Sequence, residues 1–405
     1  PLFGIPRKMV AFGKVLRMPC MRFLPQLGRR NKFLHSFNRA LSTEADESPI
    51  LIPYEEIKTF IERCMGAVGT QAAHATALAE NLRSADYRGH FSHGLNRLEM
   101  YVNDVKSGIT EKDGEPEVLK ETAATGLIDG KNLLGPVVGN FSMDLAIEKA
   151  KQTGVGWVVA KGSNHYGIAG WYGLRALEKG YMGMSFTNTS PLVLPTRARK
   201  PILGTNPICL AAPGKDGDSF VLDMATSTCA LGKIELHDVK QIPIPHGWGA
   251  DSKGKETLVA REVLDGGGQL PLGGSERSSG YKGYGLAMMV EIFCGILSGA
   301  NWGPNIRQWK KTDTIANLGQ CFIAVDPNAF GSGFQDRLQA LINTCRTQEP
   351  AEGETEVLVA GDPERRHMAK CDEQGGIAYH PNQIRVLKSL AEKVQVEEIK
   401  TLPSR

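Results

Sequence analysis

The stretch Gly162-Ser163-Asn164-His165-Tyr166-Gly167-Ile168-Ala169-Gly170 joins an apolar run at residues 156–160 to a helical pattern at residues 171–177. The two flanks predict a buried strand followed by a helix. Open α/β proteins often bind ligands at turns that leave a strand in this way. Imidazole changes its charge nearest to physiological pH, which makes His165 a candidate for proton transfer. The alternative interpretation is a loop histidine that caps the following helix.

Short apolar runs broken by glycines also follow on both sides of this stretch, from residue 126 onward. Several of them end in Asn, Thr, Ser or Asp, at residues 182–190, 204–211 and 220–227. Polar groups gathered where strands end are typical of a site lining. Helical periodicity occurs near both chain ends instead, at residues 57–64, 70–88, 334–345 and 384–394. The sequence therefore predicts an α/β fold, with Thr70 as a possible cap of its second helix.

Several common catalytic motifs are absent from the sequence. No Gly-x-Gly-x-x-Gly follows a strand with an acidic residue about 20 positions later, so an ordinary Rossmann fingerprint is not supported. There is no Gly-x-Ser-x-Gly and no His-Glu-x-x-His. No cluster of carboxylates suggests a metal site, and we predict none.

His93, Arg97 and Tyr101 follow one another at intervals of four residues. If a helix begins near His93, these three side chains share one face. A guanidinium between two hydrogen-bonding rings suits a substrate carboxylate, because Arg offers two parallel N–H donors. The alternative is a solvated polar face of an amphipathic helix.

Two further residues are candidates for ligand binding. Lys282 lies in a glycine-rich turn at the start of an apolar helix, where free N–H groups can receive a phosphate. It could equally be a solvated lysine. Asp223 ends an apolar run, so it is either a turn residue or an acceptor for hydrogen bonds from a ribose or an amide. Residues 235–280 show no periodicity, which predicts a surface excursion or lid.

The charge of the chain is concentrated at its start. Residues 1–43 contain nine Lys or Arg and no acidic residue. Without those nine, 38 basic residues face 44 acidic ones, a net charge of −6, so the basicity does not indicate nucleic-acid binding. An Arg-rich leader free of acids predicts a mitochondrial transit peptide and a location in the matrix. A disordered tail on a cytoplasmic protein is the alternative.

The remaining composition indicates a soluble protein without a membrane partner. The most apolar late segment, residues 285–293, is interrupted by Glu291 and is too short to span a bilayer. The eight cysteines are scattered and form no Cys-x-x-Cys pair. This usage suits a reducing compartment and predicts neither a disulfide framework nor a zinc knuckle.

Taken together, several of these motifs resemble the type-2 malate/L-lactate dehydrogenase family, which also includes ureidoglycolate and sulfolactate dehydrogenases. Three matching motifs are Gly162-Ser163-Asn164-His165-Tyr166-Gly167, Gly204-Thr205-Asn206-Pro207 and Tyr281-Lys282-Gly283-Tyr284-Gly285-Leu286. The other matching segments are residues 92–101, 222–227, 232–235, 317–320, 324–327 and 361–364. They occur in family order over roughly residues 50–395.

The resemblance implies a nicotinamide-dependent 2-hydroxyacid dehydrogenase, with malate as the first candidate and a lactate-like acid as the next. The cofactor would be NAD, with NADP possible. The fold would be α/β, with a non-Rossmann dinucleotide-binding domain of mixed sheet at residues 126–332. A mainly helical substrate and dimerisation domain would combine residues 50–125 with 333–400. The resemblance also implies a homodimer with active sites at the subunit interface.

The resemblance further implies roles for individual residues. The counterpart of His165 is the proton acceptor, and the counterparts of His93, Arg97 and Tyr101 line the substrate site. The counterparts of a further set bind the cofactor: Thr189, Asp223, Met224, Ala225 and Lys282. Two alternatives stay open, namely a reductase of a cyclic imino acid or diketo acid on the same fold, and a non-catalytic binding homologue.

Overall fold

A computed structural model describes residues 48–308 and 314–403. The described strands are β1 (Ile50–Ile52), β2 (Glu117–Glu121), β3 (Thr125–Asp129), β4 (Val155–Ser163), β5 (Met182–Thr187), β6 (Ile208–Pro213), β7 (Ser219–Met224), β8 (Gly249–Ala250), β9 (Glu256–Thr257), β10 (Gly268–Gln269), β11 (Leu318–Val325) and β12 (Ile377–Tyr379). Seven of them form one sheet in the order β2-β3-β4-β11-β5-β6-β7. Neighbours in it pair antiparallel, except for the parallel pair β3 and β4. The mixed sheet of the α/β prediction is therefore confirmed.

Helices accompany this sheet and form the chain ends. The described α-helices are α1 (Tyr54–Ala67), α2 (Ala72–Tyr87), α3 (Leu98–Lys106), α4 (Gly135–Thr153), α5 (Gly170–Leu177), α6 (Leu231–Lys240), α7 (Ala260–Leu264), α8 (Gly280–Glu291), α9 (Phe334–Arg346), α10 (Asp362–Gln374) and α11 (Pro381–Val394). A π-helical turn, Ile292–Ile296, continues α8. Across the described ranges, no helix combines the length and apolarity needed to cross a bilayer.

β4, the third strand of the sheet, leads into the stretch 162–170, called the His165 loop from here on. α4 packs on β4 so closely that a Cβ at Gly156 would collide with the carbonyl oxygen of Ala146. α4 ends at Thr153, and the next residue, Gly154, has a left-handed φ of +82° that lets the chain turn directly into β4. β11, on the other side of β4, is buried along nearly its whole length. The His165 loop therefore starts from a strand that is held on both edges and on one face.

Both ends of the described chain contribute to one helical core. Apolar side chains of α1, α2 and α3 pack against those of α11, and β1 pairs antiparallel with β12. Ile57, Phe60, Ile61 and Cys64, predicted to face inward from the first helix, are all fully buried there. Burying each of the larger side chains stabilises the fold by about 1.5–3 kcal/mol. The division into a substrate domain and a cofactor domain stays a prediction, and residues 1–43 lie outside the described residues.

The helix predicted to begin near His93 begins instead at Leu98. Two short 3-10 turns, Phe91–His93 and Leu95–Arg97, come before it. Between them, Gly94 has a ψ of −135°, which interrupts any continuous helix. A Cβ at Gly94 would also collide with the Asp86 carboxylate on α2, so only glycine allows the chain to pass this close to α2. The prediction was wrong because the spacing cannot show that close contact.

Residues 235–280 hold more regular structure than the predicted excursion. They contain most of α6, the short helix α7 and a three-stranded sheet in the order β10-β8-β9. Ile234, Ile244 and Val263 form a small core among them. Each strand here has two residues and α7 has five, too few for a hydrophobic period to show in the sequence. The predicted Thr70 cap is also wrong, because Gln71 precedes the first residue of α2.

Candidate active site

His165 lies just beyond the end of β4, in a pocket of neighbouring side chains. Its Nδ1 is 2.5 Å from the Tyr101 hydroxyl oxygen, and the Gly167 N–H approaches the same nitrogen at 3.3 Å. Burial lowers the pKa of His165 well below 6.5, and cationic groups around it, Arg97 among them, lower it further. The imidazole is therefore neutral at pH 7 and able to accept a proton. It does not cap α5, because the N-cap residue is Ala169 and the Gly170 N–H donates to Asp223 instead.

Contacts on both sides fix the shape of the His165 loop. Gly167 has a left-handed φ of +75°, and a Cβ there would collide with the Asn81 side chain. The Asn81 amide donates to the Tyr166 carbonyl at 3.1 Å. The Asn164 amide donates to the Leu133 carbonyl at 2.9 Å. One obligatory glycine and two buried amide hydrogen bonds thus hold the loop in a single conformation.

His93 and Arg97 lie in the two short 3-10 turns before α3 and contribute to the pocket around His165. The His93 ring lies nearly parallel to the His165 ring, with centroids 5.7 Å apart. Burial, and then the charges of Arg97 and His90, lower the pKa of His93 to about 4, so this ring is also neutral at pH 7. The Arg97 Nε donates to the Ser92 carbonyl at 2.6 Å, which fixes the plane of the guanidinium.

Tyr101 approaches His165 from the first turn of α3. It is buried, and its hydroxyl contacts the His165 ring rather than solvent. The structure therefore brings together the three residues predicted to form a carboxylate cradle, although no continuous helix joins them. The solvated-face interpretation is wrong for Tyr101. Its hydroxyl contacts the candidate base directly, so it orients that ring, and its role towards a substrate stays a prediction.

The cofactor-binding candidates after β5 and β7 are linked by hydrogen bonds. The Thr189 hydroxyl oxygen accepts from the Thr205 N–H at 2.9 Å. The Thr205 carbonyl accepts from the Thr226 N–H at 2.8 Å, next to Met224 and Ala225, which are both partly exposed. These residues therefore lie along one edge of the sheet.

Asp223 connects this edge to the His165 loop. Its Oδ2 accepts from the Gly170 N–H at 2.6 Å. A Cβ at Gly170 would press against the same carboxylate, so glycine is required at that position. Burial raises the pKa of Asp223, and the nearby His90 and the Gly170 N–H oppose that effect. Asp223 thus accepts from a backbone amide of the His165 loop, and its role towards a cofactor stays a prediction.

Lys282 lies in the first turn of α8 and is exposed. Gly283 beside it packs against the Leu272 backbone, and the Leu272 N–H donates to the Thr226 carbonyl at 2.8 Å. α8 therefore starts next to the same sheet edge as Thr189 and Asp223. Within the described ranges, no group of three or more His, Cys, Asp or Glu residues could hold a metal ion.

Comparison with known proteins identifies the family. A family profile described as malate/L-lactate dehydrogenase matches residues 52–388. The chain belongs to this family. The malate dehydrogenase of Pyrococcus abyssi is 43% identical over 304 residues, which are 74% of this chain and 83% of that protein. The malate dehydrogenase structure from Entamoeba histolytica has a TM-score of 0.82 at 31% identity, covering 88% of this chain and all of that one.

Other members of the malate/L-lactate dehydrogenase family show its chemical range. Related proteins are named L-sulfolactate dehydrogenase and ureidoglycolate dehydrogenase. A Delta(1)-pyrroline-2-carboxylate/Delta(1)-piperideine-2-carboxylate reductase of Pseudomonas syringae pv. tomato is 32% identical over 305 residues, 74% of this chain and 87% of that protein. The chain is therefore an oxidoreductase of the hydroxy-acid dehydrogenase type, which implies a nicotinamide cofactor.

Two buried carboxylates beside the site, Asp86 and Asp104, were not predicted from the sequence. Asp86 accepts from the Leu95 N–H at 2.9 Å and from the Tyr379 hydroxyl at 2.7 Å. Asp86 follows Leu82 by four residues on the inward face of α2, and a carboxylate in that position was the available signal. Asp104 forms a buried ion pair with Arg307, at 2.6 Å between Oδ2 and Nη2. Nothing in the sequence indicated that pair.

The burial of Asp86 predicts a pH-dependent stability. Burial raises the pKa of Asp86 from 3.8 to about 7, although hydrogen bonds from Leu95 and Tyr379 oppose this. The folded state thus favours the protonated acid, so its stabilising effect is complete below pH 4 and is lost as the pH rises towards 7. We expect Asp86→Asn to remove a slope of roughly 1.4 kcal/mol per pH unit in that window.

Denaturant unfolding between pH 4 and 8 measures this effect. The unfolding free energy of Asp86→Asn minus that of the wild type should increase with pH up to about 7 and then level off. Asp144→Asn, at an exposed aspartate paired with Arg175, is the control and should show no such trend. A difference between Asp86→Asn and wild type that stays constant with pH would contradict the assignment.

Proposed function

We propose that this protein oxidises a small 2-hydroxy acid, with malate as the first candidate, using NAD or NADP as the hydride acceptor. The observation that carries the proposal is the neutral, enclosed His165, with Tyr101 at its Nδ1 and the Arg97 guanidinium close by. A base and a cation side by side suit a substrate in which a hydroxyl and a carboxylate are on neighbouring carbons.

His165 serves as the general base in this proposal. Oxidation of a secondary alcohol requires removal of the hydroxyl proton as hydride leaves the carbon. The proton passes to the neutral His165 ring, whose Nδ1 lies 2.5 Å from the Tyr101 hydroxyl oxygen. A tyrosine hydroxyl can accept such a bond as well as donate one, so Tyr101 supports the base and the imidazolium that forms.

Arg97 holds the substrate carboxylate in this proposal. Its Nε donates to the Ser92 carbonyl, which orients the guanidinium, and the parallel N–H donors of a guanidinium match the geometry of a carboxylate. The neutral His93 contributes a ring donor or acceptor without a competing positive charge. A second guanidinium, Arg307, also lowers the pKa of His165, but it is paired with the Asp104 carboxylate at 2.6 Å. The 43% identity to the Pyrococcus abyssi malate dehydrogenase favours malate over lactate as the substrate.

The residues along the sheet edge fit a nicotinamide dinucleotide. Among the described residues, no side chain caps the N-terminus of α8, and the Lys282 charge there opposes the helix dipole unless an anion binds. A phosphate would satisfy both. Thr189, Asp223, Met224 and Ala225 would hold the rest of the cofactor, whose nicotinamide accepts hydride. We propose that residues 126–332 form a non-Rossmann dinucleotide-binding domain, since the sheet is mixed and the fingerprint is absent.

A second candidate function is the reduction of a cyclic imino acid. The 32% identity to the Pseudomonas syringae reductase favours it. In that direction His165 would have to carry an extra proton, and its lowered pKa opposes this in the free protein. A diketo-acid reductase makes the same demand. The neutral base therefore favours hydroxy-acid oxidation, and the complete set of His93, Arg97, His165 and Lys282 argues against a non-catalytic homologue.

We also propose a homodimer in the mitochondrial matrix. Tyr281, Met288, Ile292 and Ile296 are 40–53% exposed and follow each other at helical intervals along α8 and its π-helical turn. An exposed apolar stripe of this kind is typical of a protein interface. The nine basic residues without an acid at residues 1–43 support the proposed location.

A panel of purified assays tests the proposed function. We expect NAD⁺ or NADP⁺ to be reduced, seen as absorbance at the nicotinamide band, when malate is added. The kcat/KM for malate should exceed that for lactate by about 10-fold or more, from one additional charge-assisted hydrogen bond. Reduction of a cyclic imino acid by NAD(P)H, with no oxidation of any 2-hydroxy acid, would favour the second candidate instead.

A further inference from the structure

Glu291 is a buried carboxylate behind the sheet edge, and nothing above assigns it a role. It is the last residue of α8, and only 5% of its surface is exposed. Its Oε1 accepts from the Asn206 side-chain amide at 3.1 Å, and its Oε2 accepts from the Asn188 side-chain amide at 3.1 Å. Both oxygens act as acceptors, which is the pattern of an ionised carboxylate.

The first chain of hydrogen bonds leads from Glu291 to Thr189. The Asn206 Oδ1 accepts from the Thr189 N–H at 3.1 Å, so one side chain contacts both Glu291 and the Thr189 backbone. Asn206 has a φ of +37°, in the left-handed region that asparagine enters more readily than most residues, and its side-chain hydrogen bonds hold it there. The carboxylate of Glu291 is one such contact.

The second chain leads from Glu291 towards the His165 loop. The Asn188 Oδ1 accepts from the Gly319 N–H at 3.0 Å, at the start of β11. The next residue, Gln320, donates its side-chain amide to the Asn164 carbonyl at 2.9 Å, immediately before His165. One carboxylate is therefore connected to the Thr189 loop and to the strand that holds the catalytic loop.

Both side-chain oxygens of Glu291 must accept a hydrogen bond to satisfy the amides of Asn206 and Asn188. Burial raises the pKa of Glu291, while the amides of Asn206 and Asn188 oppose that effect. A glutamine would have the same size, but its amide nitrogen would face the amide nitrogen of Asn206 or Asn188. One buried donor would then be left without an acceptor, and the loop it belongs to would lose a fixed contact.

We propose that Glu291 is a positioning residue that fixes Asn206, and through it the Thr189 backbone, for binding of the nicotinamide cofactor. The inference rests on the proposed function for the identity of the ligand. Glu291 need not touch the cofactor, because it acts through the Asn206 side chain. Its removal should therefore weaken cofactor binding and loosen residues 188–206, while the His165 base stays in place.

Fluorescence titration with NADH or NADPH provides a test that does not depend on turnover. We expect Glu291→Gln to raise the dissociation constant, and the KM for the cofactor, by at least about 10-fold, from one unsatisfied buried donor. The value of kcat at saturation should change less. Glu356→Gln removes an exposed carboxylate paired with Arg366 and is the matched control, with an unchanged dissociation constant.

A double-mutant cycle separates this role from a general loss of structure. When Asn206→Asp is combined with Glu291→Gln, the new amide at position 291 can donate to the new carboxylate at position 206. The other oxygen of that carboxylate still accepts from the Thr189 N–H. Asn206 also donates to the Ala287 carbonyl at 3.1 Å, but that loss is common to the Asn206→Asp single variant and the double variant and cancels. We expect the two substitutions together to cost at least about 10-fold less than the product of their separate effects.

Amide hydrogen exchange distinguishes failure of this inference from failure of the proposed function. Glu291→Gln should speed exchange across residues 188–206, and the double variant should restore protection. A wild-type protein that binds no nicotinamide cofactor contradicts the proposed function, and the exchange result then decides the positioning role alone. Unchanged exchange and binding in Glu291→Gln, or additive effects in the cycle, would overturn the inference. If Glu291→Gln does not fold, the inference requires the double variant to fold and to show wild-type protection from exchange across residues 188–206.

Discussion

The His165→Ala variant is expected to oxidise its hydroxy acid about 10²–10⁴ times more slowly than the wild-type protein, measured as kcat. The reason is the loss of a neutral base that the structure holds ready. Burial lowers the pKa of His165 well below 6.5, and the Tyr101 hydroxyl lies 2.5 Å from its Nδ1. We expect alanine to leave the loop backbone in place, because Asn81 and Asn164 hold it through hydrogen bonds that do not involve the ring.

The dependence of wild-type kcat/KM on pH should also reflect the lowered pKa of His165. Oxidation needs the neutral imidazole, and a depressed pKa keeps the free protein in that form as the pH falls. We therefore expect kcat/KM for oxidation to stay level between about pH 8 and 6.5, apart from the substrate's own ionisation. The rate of His165→Ala should be reduced by the same factor relative to wild type across that range. Added imidazole should restore part of the lost rate.

His246→Ala is the matched control for this experiment. His246 is exposed and lies beside Glu256, far along the chain from the His165 loop. Its replacement should leave kcat unchanged. Circular dichroism and the unfolding midpoint should be similar for both variants and the wild type. Near-normal turnover by a folded His165→Ala protein would show that another group takes the proton.

The second large effect is expected from Arg97→Lys, which should lower kcat/KM for the hydroxy acid by about 10–100-fold. Lysine keeps the positive charge but has a single nitrogen, so it cannot form two parallel hydrogen bonds to a carboxylate. It also loses the 2.6 Å hydrogen bond from Nε to the Ser92 carbonyl, which orients the Arg97 side chain. Cofactor binding, measured by NADH fluorescence, should be unaffected.

Arg175→Lys tests whether an Arg-to-Lys change is harmful in itself. Arg175 forms a two-bond pair with Asp144 on the surface, with both distances at 2.6 Å. This surface pair is worth little to the free energy of unfolding, so the variant should keep wild-type kinetics. Unchanged substrate kinetics in Arg97→Lys would mean that Arg97 does not hold the carboxylate.

Much of the fold was predictable because long periodic segments record burial directly. β4, α1 and α5 all occur where the apolar runs placed them. The short elements between residues 235 and 280 were missed, since two-residue strands contain no period. α10, which begins at Asp362, was also missed, because its pattern is mostly polar and one buried cysteine late in the helix gives little signal.

The candidate site was predictable in its members but not in their connections. The spacing of His93, Arg97 and Tyr101 suggested one helical face, whereas the structure joins them through two 3-10 turns and a glycine pressed against Asp86. The bond from Tyr101 to His165 links residues 64 positions apart. No local pattern records a contact at that separation.

The sequence by itself determined the strand, the glycine-spaced turn and the candidate base, because glycine spacing and apolar runs are local properties of the chain. It also determined the family, through the order of its motifs. Only the tertiary structure decided that His165 is neutral at pH 7, that Asp223 is engaged by Gly170, and that Glu291 connects two loops. These properties depend on burial and on partners from distant segments, which come together only when the sheet forms.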